Sequence, residues 1–580
     1  MHLGIFYGFI VLLLGTLIIA IQVDFQVRLL YGKFYLLLSL SLDLFGLAVI
    51  IGMVIATYKR FKRKPDSSNT IDDVVTFILV FTILFSGFAL EGLRIYVTGD
   101  PWAGWTPVGL FFSTITRMFG VSIGLARSAH VFLWYLHMLL GMGFIAYIPY
   151  SKLFHMFAAP LNIFLRPLTH RGVLSKPEIL PKQGDIGVSR LQDFSKKQLL
   201  ELDACVSCGR CQKHCPAYES GAPLSPQKLL RTLKEHSKQA RSSLLNGRVM
   251  GAEELIDKVI SRESLWSCTT CGLCEEKCPV NIEHISRIVD IRRGLMQKSS
   301  DHPPEIQEFF DNIAGKGNPW GLGENSKVDL THIPTLREKQ QTDVLYWVGC
   351  FGTYENRNTQ VTLKMCSILQ KSGVDFAVLG TEENCCGDSV RRLGNELGFQ
   401  RLAKENIQVL KQYKFNKIVT HCPHCYNTLK NEYPEFGGKF TVLHHTEFIL
   451  ELIQAGRIEF KKLKQSKVTF HDPCYLGRYN NVYDAPRQVL SAIPGLELIE
   501  MKYNKSHSFC CGAGGGRIWM RDEQEQRMNE MRVKQACNLQ PDILASACSL
   551  CLTNLTEAVS KLDAKIVNAD IAELVYDAIF

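Results

Sequence analysis

Cys422-Pro423-His424-Cys425 and Cys548-Ser549-Leu550-Cys551 close two copies of one cysteine pattern. The first copy is Cys350, Cys385-Cys386-Gly387, Cys422 and Cys425; the second is Cys474, Cys510-Cys511-Gly512, Cys548 and Cys551. Corresponding members lie 124, 125 and 126 residues apart, which marks the internal duplication of a whole domain. Each copy therefore brings five thiols to one place. Strand-like runs lead into the cysteines: Val344–Val348 into Cys350, Lys417–Thr420 into Cys422, Lys467–Phe470 into Cys474 and Ile543–Ala545 into Cys548. Helical stretches such as Asn358–Gln370 and Leu397–Gln412 lie between them, an α/β pattern. Cysteines at strand C-termini gather at one edge of a parallel sheet, where open α/β folds place their sites.

Five thiols with an adjacent pair suit an iron–sulfur site, because thiolates bind such clusters and a zinc site closes with four ligands. The spacing resembles the paired cysteine-rich domains of heterodisulfide reductase. That resemblance implies one non-cubane [4Fe–4S] cluster on Cys350, Cys385, Cys386, Cys422 and Cys425, and a second on Cys474, Cys510, Cys511, Cys548 and Cys551. Structural zinc or disulfides are the alternative, and the other cluster motifs of the chain weigh against it. The run Gly512-Ala513-Gly514-Gly515-Gly516 lets backbone N–H groups approach cluster sulfurs. His421, His424, His444, His445 and His471 crowd the cysteine loops as hydrogen-bonding groups, any one of which could deliver a proton.

Upstream stand Cys205, Cys208, Cys211, Cys215-Pro216 and then Cys268, Cys271, Cys274, Cys278-Pro279. This is the bacterial two-cluster ferredoxin signature. Its cross-ligation puts Cys205, Cys208, Cys211 and Cys278 on one cubane [4Fe–4S] cluster and Cys268, Cys271, Cys274 and Cys215 on the other. Pro226–His236 and Ala252–Ile260 have helical periodicity, and the module resembles the helical ferredoxin domain of succinate dehydrogenase iron–sulfur subunits. Of the 20 cysteines only Cys366 and Cys537 fall outside these motifs, and they read as buried free thiols. Clusters on this scale imply a reducing compartment.

The first 165 residues are strongly apolar. Four segments are long enough to span a bilayer, Leu3–Ile21, Leu36–Tyr58, Val74–Val97 and Val131–Ile148, while Thr106–Ala126, with Arg117 at its centre, reads as interfacial or re-entrant. The basic run Lys59-Arg60-Phe61-Lys62-Arg63-Lys64 is a topological anchor rather than a nucleic-acid site, although the net charge is +9. It puts both termini in the cytoplasm. Met1-His2-Leu3 has no positive n-region, so a cleaved signal peptide is not expected.

Tyr135-Leu136-His137-Met138 through Phe154-His155 resembles the final helix of the nitrate reductase gamma subunit, whose two histidines bind b-type haems at opposite membrane faces. Eighteen residues of continuous helix separate His137 and His155 by about 27 Å, so they cannot share an iron. His2 is the expected partner of His155 on one haem b. His137 finds no partner, since His130 is one heptad earlier on the same helix; a second haem with an unusual ligand and a quinone site are the two readings. Asp43, Glu91 and Arg94, toward the outer ends of their spans, are quinone or haem-propionate contacts or else simple charge pairs. The gamma subunit has five spans, and the four here would match its second to fifth if the start misses an upstream helix.

The expected architecture is multidomain: residues 1–165 an all-α transmembrane haem b bundle, 166–198 a linker, 199–300 a helical two-cluster ferredoxin domain, 301–341 a connector, and 342–460 and 461–580 the duplicated α/β cysteine-rich domains. The wording around Cys422, His444-His445-Thr446, His471-Asp472-Pro473-Cys474 and Cys510-Cys511-Gly512 resembles the fused membrane electron-transfer-flavoprotein:menaquinone oxidoreductases. This implies electron transfer at the inner (plasma) membrane from electron-transfer flavoprotein, or another flavin dehydrogenase, to menaquinone, with the iron–sulfur domains in the cytoplasm. A quinol-linked disulfide reductase and a relay component of a hydroxy-acid oxidation complex are the rivals. No flavin or nicotinamide motif appears, so hydride chemistry falls to a partner.

Overall fold

A computed structural model describes residues 1–62, 71–168, 171–174, 177, 186–245, 254–298, 302–521 and 524–580. Arg63 and Lys64 of the basic run, and linker residues 169–170, 175–176 and 178–185, lie outside them. The chain forms two compact units, Met1–Met156 and Phe157–Phe580.

The first unit is helical: α1 (His2–Asp24), α2 (Gly32–Lys62), α3 (Ile71–Thr98), α4 (Pro107–Met118) and α5 (Ile123–Tyr147). Four stretches, His2–Asp24, Gly32–Lys59, Ile71–Thr98 and Ile123–Tyr150, are long and apolar enough to cross a membrane. Small residues set their spacing, as expected where lipid offers no hydrophobic drive between helices: Gly8 of α1 packs against Val49 of α2, and Gly46 of α2 against Phe88 of α3.

The structure changes two membrane readings. Thr106–Ala126 is not one helix: α4 has 12 residues, about 18 Å, and the chain turns before α5 starts at Ile123. Nor do His137 and His155 share a helix. α5 ends at Tyr147, a 3-10 turn covers Ile148–Tyr150, Ser151 is extended, and α6 (His155–Phe164) begins after a second 3-10 turn at Lys152–Phe154. Pro149 brings no N–H to continue the ladder, so the 27 Å spacing of an unbroken helix does not apply.

In the second unit, α7 (Lys196–Ala204) starts on a reciprocal cap in which Ser195 and Gln198 each bond the other's backbone N–H. Longer helices at Pro226–Leu245 and His284–Lys298 frame the ferredoxin cysteines. The described part of Ala252–Ile260 is not helical. Val259 and Ile260 both donate to the Leu255 carbonyl, and Asp257 sits at φ 66°, where a right-handed helix cannot continue.

Two parallel four-stranded sheets follow. The first has the order β2-β1-β3-β4, with β1 (Gln341–Tyr346), β2 (Phe376–Ala377), β3 (Lys414–Thr420) and β4 (Val442–His444). The second repeats it as β6-β5-β7-β8, with β5 (Ser466–Phe470), β6 (Leu496–Leu498), β7 (Ile543–Ser546) and β8 (Val567–Asp570). The strand order reverses between β1 and β3, and between β5 and β7. In such sheets the crevice outside the strand C-termini at that reversal holds the ligand. Val344, Leu345, Tyr346 and Trp347 are fully buried as the chain runs toward Cys350.

Candidate metal centres

Each reversal point carries cysteines on both sides. Cys350 follows β1 and Cys422 follows β3; Cys474 follows β5 and Cys548 follows β7. In the first set, Cys350 faces Cys385, Cys386 faces Cys425, and Cys425 faces Cys422, so the five thiols form one run of neighbours. In the second set, Cys510 meets Cys474 and Cys511, and Cys511 lies 3.2 Å from Cys551, which bonds Cys548. Backbone N–H groups already point at sulfur: Gly387 to Cys385 Sγ (3.5 Å), Gly512 to Cys510 Sγ (3.3 Å) and Cys551 to Cys548 Sγ (3.5 Å).

The eight ferredoxin thiols fall into two groups by mutual electrostatic contact. Cys211 interacts with Cys205, Cys208 and Cys278; Cys274 interacts with Cys271, Cys215 and Cys268. Burial, then the neighbouring thiols, push Cys211 up to about 12, and burial pushes Cys268 up to about 11. Such groups become thiolates on binding a metal, with release of their protons. All 20 cysteines are free of disulfides.

The sets are contiguous. Cys271 of the ferredoxin part faces Cys510 of the second cysteine-rich set, and both share an apolar cluster with Cys474, Tyr475 and Tyr479. His424, between Cys422 and Cys425, is held by Asp388 (2.7 Å), stacks on Tyr475 (3.9 Å) and bonds Cys548 of the other half. The glycine run does more than the N–H approach expected of it. Gly514 and Gly515 lie so close to the carbonyls of Thr269 and Cys268 that a Cβ on either would come within 2.6 Å. Of the other loop histidines, His421 meets Tyr346 (2.9 Å), His445 meets Asp570 (3.0 Å) and His471 meets Arg532 (3.1 Å).

Orphaned polar groups test whether clusters fit. Among the described residues the Trp519 indole N–H and the Ser549 hydroxyl are enclosed without partners, and both residues line the cavity around the first set. His284, which burial pushes down to about 4, lines the cavity around Cys205, Cys208, Cys211 and Cys278 with both ring nitrogens unpartnered. Sulfur acceptors would satisfy these donors, so the residues fit the groups. Phe309 and Pro319 of the connector also wall the first cavity, and no local pattern in the sequence announces that role.

In the membrane unit, Ser86 of α3 donates to the Ile83 carbonyl (3.0 Å), so His137 must donate Nδ1–H to Ser86 Oγ (2.8 Å). Its Nε2 lone pair is thereby left for a metal, the arrangement usual for a ligating histidine. His130 lies two turns earlier on α5. Gly52 of α2 lies against Met1, and Asp72 of α3 binds Tyr147 and Lys152, which sets His2 and His155 at the same end of the antiparallel helices. His155 Nδ1 bonds the Lys152 carbonyl (2.6 Å). Asp43 is 5% exposed and accepts from the Val108 (2.8 Å) and Gly109 (3.2 Å) N–H groups, anchoring the start of α4. Glu91 pairs with Arg94 (2.8 Å), which also holds Asp100 (2.7 Å).

Comparison with known proteins gives each part a family. Residues 1–171 match the nitrate reductase gamma subunit, 201–282 the 4Fe-4S dicluster domain, and 344–430 and 468–556 the cysteine-rich domain CCG. The whole chain is 35% identical to the EtfAB:quinone oxidoreductase of Syntrophomonas wolfei, covering 87% of it. It is 33% identical to the probable iron-sulfur-binding oxidoreductase FadF of Bacillus subtilis, covering 88%. About two thirds of the chain (67%) is 36% identical to 96% of a polypeptide of the dihydromethanophenazine:CoB–CoM heterodisulfide reductase of Methanosarcina barkeri.

Proposed function

The chain belongs to the family of membrane iron–sulfur oxidoreductases that includes EtfAB:quinone oxidoreductase and FadF, and on that premise we propose that it takes electrons from reduced electron-transfer flavoprotein and delivers them to menaquinone. Two cubane and two non-cubane clusters and haem b, when bound, supply one-electron carriers between a flavin and a quinone that each exchange two. The observation that carries the reading is the contact of Cys271 with Cys510. It joins a ferredoxin set to a cysteine-rich set without intervening protein.

With His424 against Cys548, the sites fall in one order: first cysteine-rich set, second cysteine-rich set, then Cys215, Cys268, Cys271 and Cys274, then Cys205, Cys208, Cys211 and Cys278. Burial keeps water from Cys215, Cys268 and Cys271 and from every cysteine-rich thiol but the half-buried Cys350, whereas Cys208 is exposed. We assign haem b to His2 and His155, and a second haem to His137, oriented by Ser86. Arg94 and Glu91 keep about a third of their side chains exposed, unlike Asp43, and are the groups assigned to the quinone headgroup. We place the iron–sulfur unit in the cytoplasm at the inner membrane, on the side of the basic run at residues 59–64.

The test mixes oxidised protein with reduced electron-transfer flavoprotein in a stopped-flow cell and follows haem absorbance, with and without a menaquinone analogue. Fast reduction that the quinone reverses is expected. No reduction, in a sample that dithionite still reduces, sinks the proposal. Disulfide reduction has one observation in its favour, the cavity at the first set with Ser549 and Trp519 unpartnered; a change in the cluster spectrum on adding a small thiol would favour it.

A further inference from the structure

His284 opens the helix His284–Lys298, is 1% exposed, and shares a cavity with the four thiols Cys205, Cys208, Cys211 and Cys278. Among the described residues neither ring nitrogen has a partner. A neutral imidazole carries one N–H and one lone pair in either tautomer, and a buried donor left unmet is costly. Of its charged neighbours, Arg287 has donors only and offers the ring N–H no acceptor, while Glu201 already accepts from Arg287 (2.7 Å) and Lys197 (2.9 Å). The cavity that the ring lines is walled by the four thiols together with Ser207 and Gln227, so sulfur is the acceptor it offers most.

The matching position at the other ferredoxin site carries no such group. His284 stands six residues after Cys278; the position six residues after Cys215, in the matching motif, is Gly221, which has no side chain.

We infer that His284 donates its ring N–H to a sulfur of the cluster held by Cys205, Cys208, Cys211 and Cys278, and thereby sets the potential of that cluster alone. A hydrogen bond to cluster sulfur favours the more negative, reduced state and so raises the midpoint potential. His284 sits outside the ligand loops, so its effect is separable from assembly. The inference rests on the reading of this thiol set as a cluster site, and needs neither the flavoprotein nor the quinone.

The experiment is a potentiometric titration of the full-length protein followed by electron paramagnetic resonance, comparing wild type with His284→Leu and His284→Gln. The signal of interest is the one altered in Cys208→Ser. In His284→Leu its midpoint is expected to move to more negative potential while the other cluster signals keep theirs, and His284→Gln, which retains an N–H donor, should recover most of the shift. An unchanged midpoint in His284→Leu at wild-type iron and sulfide content overturns the inference. If that variant loses its cluster, wild-type protein labelled with 15N-histidine decides: a histidine nitrogen coupling on this signal supports the hydrogen bond, and its absence refutes it. A wild-type protein with no signal that Cys208→Ser alters would instead sink the cluster reading itself.

Discussion

Arg292 donates through one nitrogen to the carbonyls of Arg392 (2.9 Å) and Gly515 (3.0 Å), and through another to those of Leu265 (2.5 Å) and Cys268 (2.9 Å), with its plane over Trp266. One buried guanidinium thus ties both cysteine-rich halves to the ferredoxin loop. Arg292→Met strips donors from buried carbonyls at about 1–3 kcal/mol per unmet group. The Leu265 carbonyl keeps the Cys268 N–H, so a loss of at least roughly 3 kcal/mol is expected from the other carbonyls, read as a lower temperature of cluster bleaching; an unchanged temperature would refute the role. Lysine should not rescue it, because a single ammonium cannot span both carbonyl pairs. Cys366 illustrates the opposite case. It is fully buried on the helix Asn356–Lys371, and burial pushes its thiol up to about 12. Since thiolate is the reactive form, Cys366 should resist iodoacetamide in folded protein at pH 8 and react only after unfolding. Peptide mapping checks this, and alkylation in the native state would contradict it. The cysteine motifs were legible because their chemistry resides in local spacing. The roles of Arg292 and His284 were not, because they depend on which groups distant segments leave unpaired.

Elements explain why five thiols converge twice. The repeated strand order puts the first and last cysteine loops on either side of the reversal, and the adjacent pair comes in after the second strand of each sheet. The turn out of β1 depends on Gly349, whose φ of 76° strains any other residue, and a Cβ there would crowd Cys425 Sγ at 3.2 Å. Gly349→Ala should therefore lower the iron content of the first set while the ferredoxin sets keep theirs, and full iron occupancy would disprove the packing argument. Strands ending in cysteine were readable from β-branched runs before each motif. The membrane helices were readable in number and length, yet α5 ends where Pro149 interrupts its ladder, a signal present in the sequence that the haem-helix resemblance overrode. The start of α4 was hidden for another reason. Its anchor, Asp43, lies 65 residues away on α2, beyond the reach of any periodicity.

At the scale of the whole molecule, the order of the sites comes from contacts between distant residues such as Cys271 and Cys510, so spacing alone could supply the ligand sets but not their sequence. The same distribution predicts how the two units respond to metal removal. Every cysteine lies in Phe157–Phe580, and none in the helices of Met1–Met156. Bound metal ties loops that are remote in the chain, and that binding energy is folding energy. Stripped of iron under reducing conditions, ferredoxin thiols such as Cys211 and Cys268 revert to neutral, as their raised values require, whereas neighbouring thiols hold Cys511 below the ordinary thiol range. The two sheets retain an apolar core through Val344, Leu345, Val468 and Leu544, all fully buried, whereas the ferredoxin part has a smaller core that itself includes Cys215 and Cys268. Chelation should accordingly lower the melting temperature of the second unit by roughly 10 °C or more, with helix lost from the ferredoxin part before the sheets, while the membrane helices melt as before. Circular dichroism in detergent before and after iron removal measures both transitions. A second unit that melts at the same temperature without iron would show that its cysteine loops are held by packing alone.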